Sequence, residues 1–335
     1  MTVLGLAITA VASNGTTVEA VVHSVELEHN LLGDSPDRTV SIYLPPGYST
    51  DTNTLYPVLY LLHGYGEDNN AWLLSFNVSN AANTLITNRS IQPLIIVMPD
   101  ARNAYGGSYY VNSPVTGNWE DFIARDLVSY IDTHYRTIPR PESRALAGYS
   151  MGGFGALYIA TKHADTFRVV YAMNPYATGL VGTDEITFPF FVLATEKAIA
   201  NDAIPTNGND VLALAAAFSP NPDNPPAYVD LPYESIDNKP HKIDAVWNRW
   251  LSHTPLAMID TYTANLRQYT AIAFDAGTGD IASIRIDAPL YSQALTRAGI
   301  PHRFEVYEGG HTDKLATRME SVVLPFVSRH LEGST

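Results

Sequence analysis

With 335 residues, 46% of them hydrophobic, the chain can form one large α/β domain or two smaller ones around a sizeable core. Its net charge of −14 speaks against nucleic acid or an anionic membrane as partner, because both attract basic surfaces. The absence of cysteine removes disulfides, thiolate metal ligands and a cysteine nucleophile together.

The chain opens on an apolar run, Val3 to Ala12, that reads either as a first strand or as the tail of a secretory signal. No other run is long and apolar enough to span a bilayer. Residues 17–29 and Arg38 to Leu44 alternate with period two, which predicts a hairpin at a sheet edge. Tyr56 to Leu62 is continuously apolar, as a strand buried on both faces should be, and ends in His63-Gly-Tyr-Gly66. Ala81 to Asn88 reads as a helix and Leu94 to Met98 as the next strand, ending at Pro99-Asp100. A loop rich in glycine and tyrosine follows (Tyr105 to Tyr110). Phe122, Ile123, Leu127, Tyr130 and Ile131 then share one face of a helix over 119–135.

Arg144 to Ala147 is a short strand, and Phe154 to Ala160 is small and apolar at helical spacing. Between them stands Gly148-Tyr-Ser-Met-Gly152, the G-x-S-x-G pattern with serine at the apex of a strand–turn–helix. The flanking glycines have a steric reason: strand and helix pass too close for a Cβ. Ser150 is therefore the candidate nucleophile. The Met151 N–H, at the helix start, is a candidate oxyanion donor. Arg168 to Met173 is another strand.

The alternation breaks over 175–255, where prolines crowd Ser219 to Pro226 and recur at Pro232 and Pro240, and where Val211 to Phe218 could be helical. This stretch reads as a cap or lid inserted over the carboxyl edge of the sheet, within a single domain spanning 1–335. A strand at Tyr269 to Phe274, a helix at Ala288 to Ala298, a strand at Arg303 to Tyr307 and a helix over 313–331 complete the chain. Strands alternating with helices predict an α/β fold: a mostly parallel sheet covered on both faces, its site at the carboxyl ends of the strands.

Serine needs a base, and the base needs an orienting acid, in the chain order Ser, acid, His. His311 follows the last strand in a Gly-Gly-His loop and is the candidate base. His302 precedes a strand, His330 lies on the last helix, and His253 falls in the insertion. Asp275, Asp280 and Asp287 compete as acid. Asp280 is favoured because it follows the Gly277-Thr-Gly279 turn. The Tyr65 N–H is the second candidate oxyanion donor, and His63 reads as structural rather than as a second base. Trp72, Tyr109, Trp119, Trp247 and Trp250 are candidate substrate contacts, since aromatic side chains stack on phenolic or sugar faces. No His-x-His or His-Glu-x-x-His spacing calls for a metal, and no cofactor is implied.

The chain resembles the esterase D / putative-esterase family of α/β-hydrolases, which includes feruloyl esterases, S-formylglutathione hydrolases and the antigen 85 mycolyltransferases. The resemblance rests on Leu61 to Trp72, Val97 to Asp100, Trp119 to Leu127 with Tyr135-Arg136, Gly148 to Gly155, Gly277 to Asp280 and Gly309 to His311. It implies an α/β-hydrolase fold, Ser150, His311 and Asp280 as a triad, and the Tyr65 and Met151 amides as an oxyanion hole. It further implies a serine carboxylesterase acting on a small-molecule or polysaccharide-linked ester, with a feruloyl or other aromatic or carbohydrate ester favoured. A short-chain carboxylesterase, a thioesterase like S-formylglutathione hydrolase and a non-catalytic carbohydrate-binding relative are the alternatives. A secreted or periplasmic location is preferred over the cytoplasm.

Overall fold

A computed structural model describes residues 14–183, 187–201 and 210–333. The apolar start at 3–12 lies outside the described residues. Eight strands build the central sheet: β1 (Thr16–His23), β2 (Asp37–Leu44), β3 (Val58–Leu62), β4 (Ile95–Pro99), β5 (Arg144–Tyr149), β6 (Val169–Met173), β7 (Ala271–Gly277) and β8 (Arg303–Tyr307). Their spatial order is β1-β2-β4-β3-β5-β6-β7-β8. β3 to β8 are parallel to their neighbours within that group, and β2 is antiparallel to both β1 and β4. The expected edge hairpin is present, although residues 25–27 form a 3-10 turn rather than strand.

The continuous apolar runs become strands because both sheet faces are covered. In β3 every residue is buried: Val58, Tyr60 and Leu62 enter one core, Leu59 and Leu61 the other. The first core packs the sheet against the helical segment 119–134 and the helices Met151–Lys162, Pro255–Leu266 and Ala282–Arg297. The second packs it against Val78–Thr87 and the helical segment 315–330.

The stretch after β6 holds helices Phe188–Ala200, Val211–Phe218 and Asp244–Ser252 and a two-stranded hairpin, Tyr233–Ile236 with Lys239–Lys242. Phe188, Phe218, Tyr233, Trp247 and Trp250 form its aromatic centre. Phe218 packs onto Phe154 and Tyr109, and the Ser113 hydroxyl donates to Ala216 O at 2.6 Å, so the helix Val211–Phe218 rests on the helix Met151–Lys162 and on the segment that follows β4. The segment leaves and returns at one place, where Leu256 N–H bonds to Thr178 O at 3.0 Å.

Candidate active site

Six residues follow carboxyl ends of parallel strands: His63 after β3, Asp100 after β4, Ser150 after β5, Asn174 after β6, Asp280 after β7 and His311 after β8. Ser150 has φ 54° and ψ −119°, a conformation a non-glycine residue avoids at a cost of about 1–3 kcal/mol. The surroundings enforce it. Ser150 N–H bonds to Met173 O at 3.1 Å, and Ser150 O accepts from Phe154 N at 2.9 Å and Tyr176 N at 3.1 Å. A Cβ on Gly148 would lie 2.9 Å from Leu62 O, and one on Gly152 would lie 2.7 Å from His63 O, so only glycine fits either side of the turn. Met151 opens the following helix, where its N–H has no intrahelical acceptor.

Across the sheet edge, His311 Nδ1 lies 2.9 Å and 3.1 Å from the two carboxylate oxygens of Asp280. The Asp280 carboxylate is buried and also accepts Ile281 N–H at 2.7 Å, while the imidazole is 30% exposed. This bond leaves Nε2 as the outward nitrogen. Asp275 is committed elsewhere. It is fully buried in β7 and accepts from Tyr171 OH (2.9 Å), Arg318 Nε (2.9 Å) and Asn174 N–H (3.2 Å). Asp287 accepts the Gly179 and Gly182 amides and so anchors the start of the inserted segment. His302 is bound to Ser292 and Ile300, His330 to Phe326 O, and His253 stacks on Phe218.

Tyr65 and Met151 are joined through the loop after β4. Gly107 lies between them: a Cβ there would stand 2.5 Å from Met151 Sδ and 2.9 Å from Tyr65 Cδ2. Gly66 N–H bonds to Gly106 O at 2.9 Å, and the Tyr65 hydroxyl donates to Tyr105 O at 3.0 Å. His63 is buried in the loop after β3. Ala101 N–H donates to its Nε2 at 2.9 Å, so the proton sits on Nδ1, which donates to Gly64 O at 2.8 Å. Burial pushes its pKa down, so the neutral imidazole acts as a brace between the loops after β3 and β4. Asp100 is bound to Arg38 at 2.9 Å. Among the described residues, Glu120, Asp121 and His163 bring three potential metal-donor atoms together, but Glu120 is already bound to Lys162 and His163.

Most of the aromatic residues expected at the substrate belong to the core. Trp72 is fully buried behind the serine turn, packed on Tyr149 and Phe76, with Nε1–H donated to Leu62 O. Trp119 is fully buried against Phe122 under the Arg38 guanidinium, and Trp250 is fully buried with Nε1–H on Ser219 Oγ. Trp247 is half-buried in the same cluster as Trp250. Tyr109 is fully buried, its hydroxyl turned to Asp210. A cavity of about 430 Å³ is instead lined by Tyr176, Phe188, Phe191, Asp210, Val211 and Ile281, among others, and it adjoins the serine turn through Tyr176, whose N–H is bonded to Ser150 O. Tyr176 and Ile281 follow β6 and Asp280 by a few residues, a signal open to sequence reading. Phe191 and Asp210 carry no such mark.

A family model described as "Putative esterase" matches residues 35–315. An esterase of Mycobacterium tuberculosis, Rv1288, is 41% identical over 129 residues, which are 38% of this chain and 27% of that protein. An endo-1,4-beta-xylanase/feruloyl esterase of Xylanibacter ruminicola is 31% identical over 140 residues, 39% of this chain and 18% of that protein. The chain therefore spans less than a third of the length of either of these curated relatives. Among solved structures, a ferulic acid esterase superposes with a TM-score of 0.65 at 24% identity, covering 95% of this chain and 99% of the other. The S-formylglutathione hydrolase of Staphylococcus aureus gives 0.61 at 16% identity, covering 96% and 100%. The fold is that of these α/β-hydrolase esterases.

Proposed function

The chain belongs to the putative esterase family, and on that premise we propose that it is a serine carboxylesterase working through an acyl-enzyme. The observation that carries this reading is the His311 imidazole held through Nδ1 by the buried Asp280 carboxylate, on the sheet edge that also presents Ser150 in its strained turn. His311 Nε2 takes the Ser150 proton as Oγ attacks the ester carbonyl carbon. The oxyanion is received by the amide N–H groups of Tyr65 and Met151. The carbonyl reforms as the C–O bond to the alcohol breaks, and His311 returns the proton to the departing oxygen. Water then repeats the sequence: His311 takes its proton, the acyl bond to Ser150 breaks, and acid and free serine are regenerated. Asp280 keeps the Nδ1–H tautomer and stabilises the imidazolium formed at each step.

The inserted stretch 175–255 acts as a cap over the acyl side of this site, and aromatic acyl esters linked to sugars or polysaccharides are the favoured substrates. Support comes from the aromatic lining of the cavity and from the feruloyl esterase relative. Because polymer-linked esters lie outside the cell, we place the protein there, secreted or periplasmic; fractionation of the producing cells checks this.

The test is hydrolysis of p-nitrophenyl acetate and methyl ferulate by wild type, Ser150→Ala and Asp280→Asn. Wild type should cleave both, and Ser150→Ala should cleave neither. Asp280→Asn should lose roughly 10⁴-fold in kcat, as wrong-tautomer variants of such triads do. Full activity in Ser150→Ala would refute the mechanism.

A further inference from the structure

Asp210 is the unusual group in the cavity. It shares the lining with Ile281 and Ser283 and is the residue preceding the helix Val211–Phe218. Its carboxylate accepts from Tyr109 OH at 3.2 Å and from the Tyr176 hydroxyl. Burial raises its pKa, and the Tyr109 hydroxyl, its own backbone N–H and the Tyr176 hydroxyl only partly offset that. Among the described residues no lysine or arginine pairs with it. A carboxylate has about four lone-pair positions. Two tyrosine hydroxyls and its own backbone N–H leave room for one more donor, and a partly buried carboxylate gains from finding one.

Tyr176 measures how far this carboxylate stands from the serine. Its backbone N–H is bonded to Ser150 O, and its side chain carries its hydroxyl to Asp210. The serine turn and the carboxylate are thus one tyrosine side chain apart. An aromatic acyl group of the 4-hydroxycinnamoyl type matches that span: its phenolic oxygen is a single bond farther from the ester carbonyl carbon than tyrosine's oxygen is from its own Cα. Tyr176, Phe188 and Phe191 give the ring apolar walls, with Phe191 61% exposed at the surface.

We propose that Asp210 is the specificity residue of the acyl cavity, accepting a hydrogen bond from the para-hydroxyl of an aromatic acyl group attached at Ser150. This rests on the esterase reading above. The consequence is a preference for 4-hydroxyaryl acids over acids with no donor at that position, because an acyl group without the hydroxyl leaves the carboxylate short of a partner.

The experiment compares kcat/KM for methyl 4-hydroxycinnamate, methyl 4-methoxycinnamate and methyl cinnamate in wild type, Asp210→Asn and Asp210→Ala. Wild type should favour the 4-hydroxy ester over both others by at least about tenfold, the scale of a hydrogen bond to a charged group. In both variants the ratio should collapse towards one. Ratios taken within one enzyme do not depend on how much folded protein a variant yields. A wild-type ratio near one, or a ratio that survives both substitutions, overturns the proposal. So does cleavage of p-nitrophenyl acetate with no cleavage of any cinnamate. In each of these cases serine-dependent hydrolysis of the acetate would leave the esterase reading standing. Acetate hydrolysis that persists in Ser150→Ala would instead remove that reading and this one with it. A preference that follows the alcohol, seen with an arabinosyl ester against a methyl ester of the same acid, would assign the carboxylate to the other side of the ester and also overturn the proposal.

Discussion

Asn174 carries more of the site than its single position implies. It is fully buried, with φ 42°, just past β6. Its Nδ2 donates to His311 O at 2.9 Å and to Tyr307 OH at 2.7 Å, and its Oδ1 accepts Gly277 N–H at 2.9 Å. One amide therefore ties the histidine loop to the strand that leads to Asp280. Asn174→Ala should lower kcat by about 10²-fold, the scale of a small displacement of catalytic groups, with KM changed far less. Steady-state kinetics on p-nitrophenyl acetate checks the split, and a fall in KM-controlled binding instead would assign the residue to the substrate. The serine turn was legible in the sequence because its constraint is local: two glycines within two residues of Ser150. The role of Asn174 was not, since its partners are more than a hundred residues away and nothing local marks them.

Between elements, one tie is ionic and largely buried. Glu120, on the segment 119–134, is bound to Lys162 Nζ at 2.8 Å and His163 Nε2 at 2.7 Å, at the end of the helix that begins beside Ser150. Desolvation raises the Glu120 pKa, but the bond from His163 and the Lys162 charge outweigh it, and the net shift is downward. A folded-state pKa below the unfolded one means a contribution that is complete above the unfolded value, ~4.3, and disappears as pH falls through the folded value. Glu120→Gln should cost about 1–3 kcal/mol at neutral pH. Thermal melts of both proteins should converge as pH drops below the ordinary carboxylate range; a gap that persists there would show that the loss is one of packing. The strands and their order of use were readable from apolar runs and their punctuation. The tryptophans were not. Trp72, Trp119 and Trp250 have the composition of a binding cleft and the burial of a core, and only tertiary packing separates the two.

Over the whole molecule, the net charge of −14 sets up self-repulsion that the fold must overcome. Raising salt from ~0.01 M to ~0.1 M shortens the screening length from ~30 Å to ~10 Å. The melting temperature should therefore rise over that range at neutral pH, and a flat response in calorimetry would show that local ion pairing has cancelled the long-range term. The sheet and its helices could be read from one sequence because period and punctuation are repeated in every unit. The stretch 175–255 follows no such repeat, and its boundaries were visible only as a break in rhythm.

That break has a geometric counterpart in the bond between Leu256 and Thr178. Because the two ends of the excursion already touch, its length barely affects the entropy of closing the sheet around it. Residues between these two can be added, removed or exchanged while β6, β7 and the histidine loop keep their register. On the esterase reading proposed above, changes within that stretch would reshape the cavity it helps to line while the strands that carry Ser150, Asp280 and His311 stay in place.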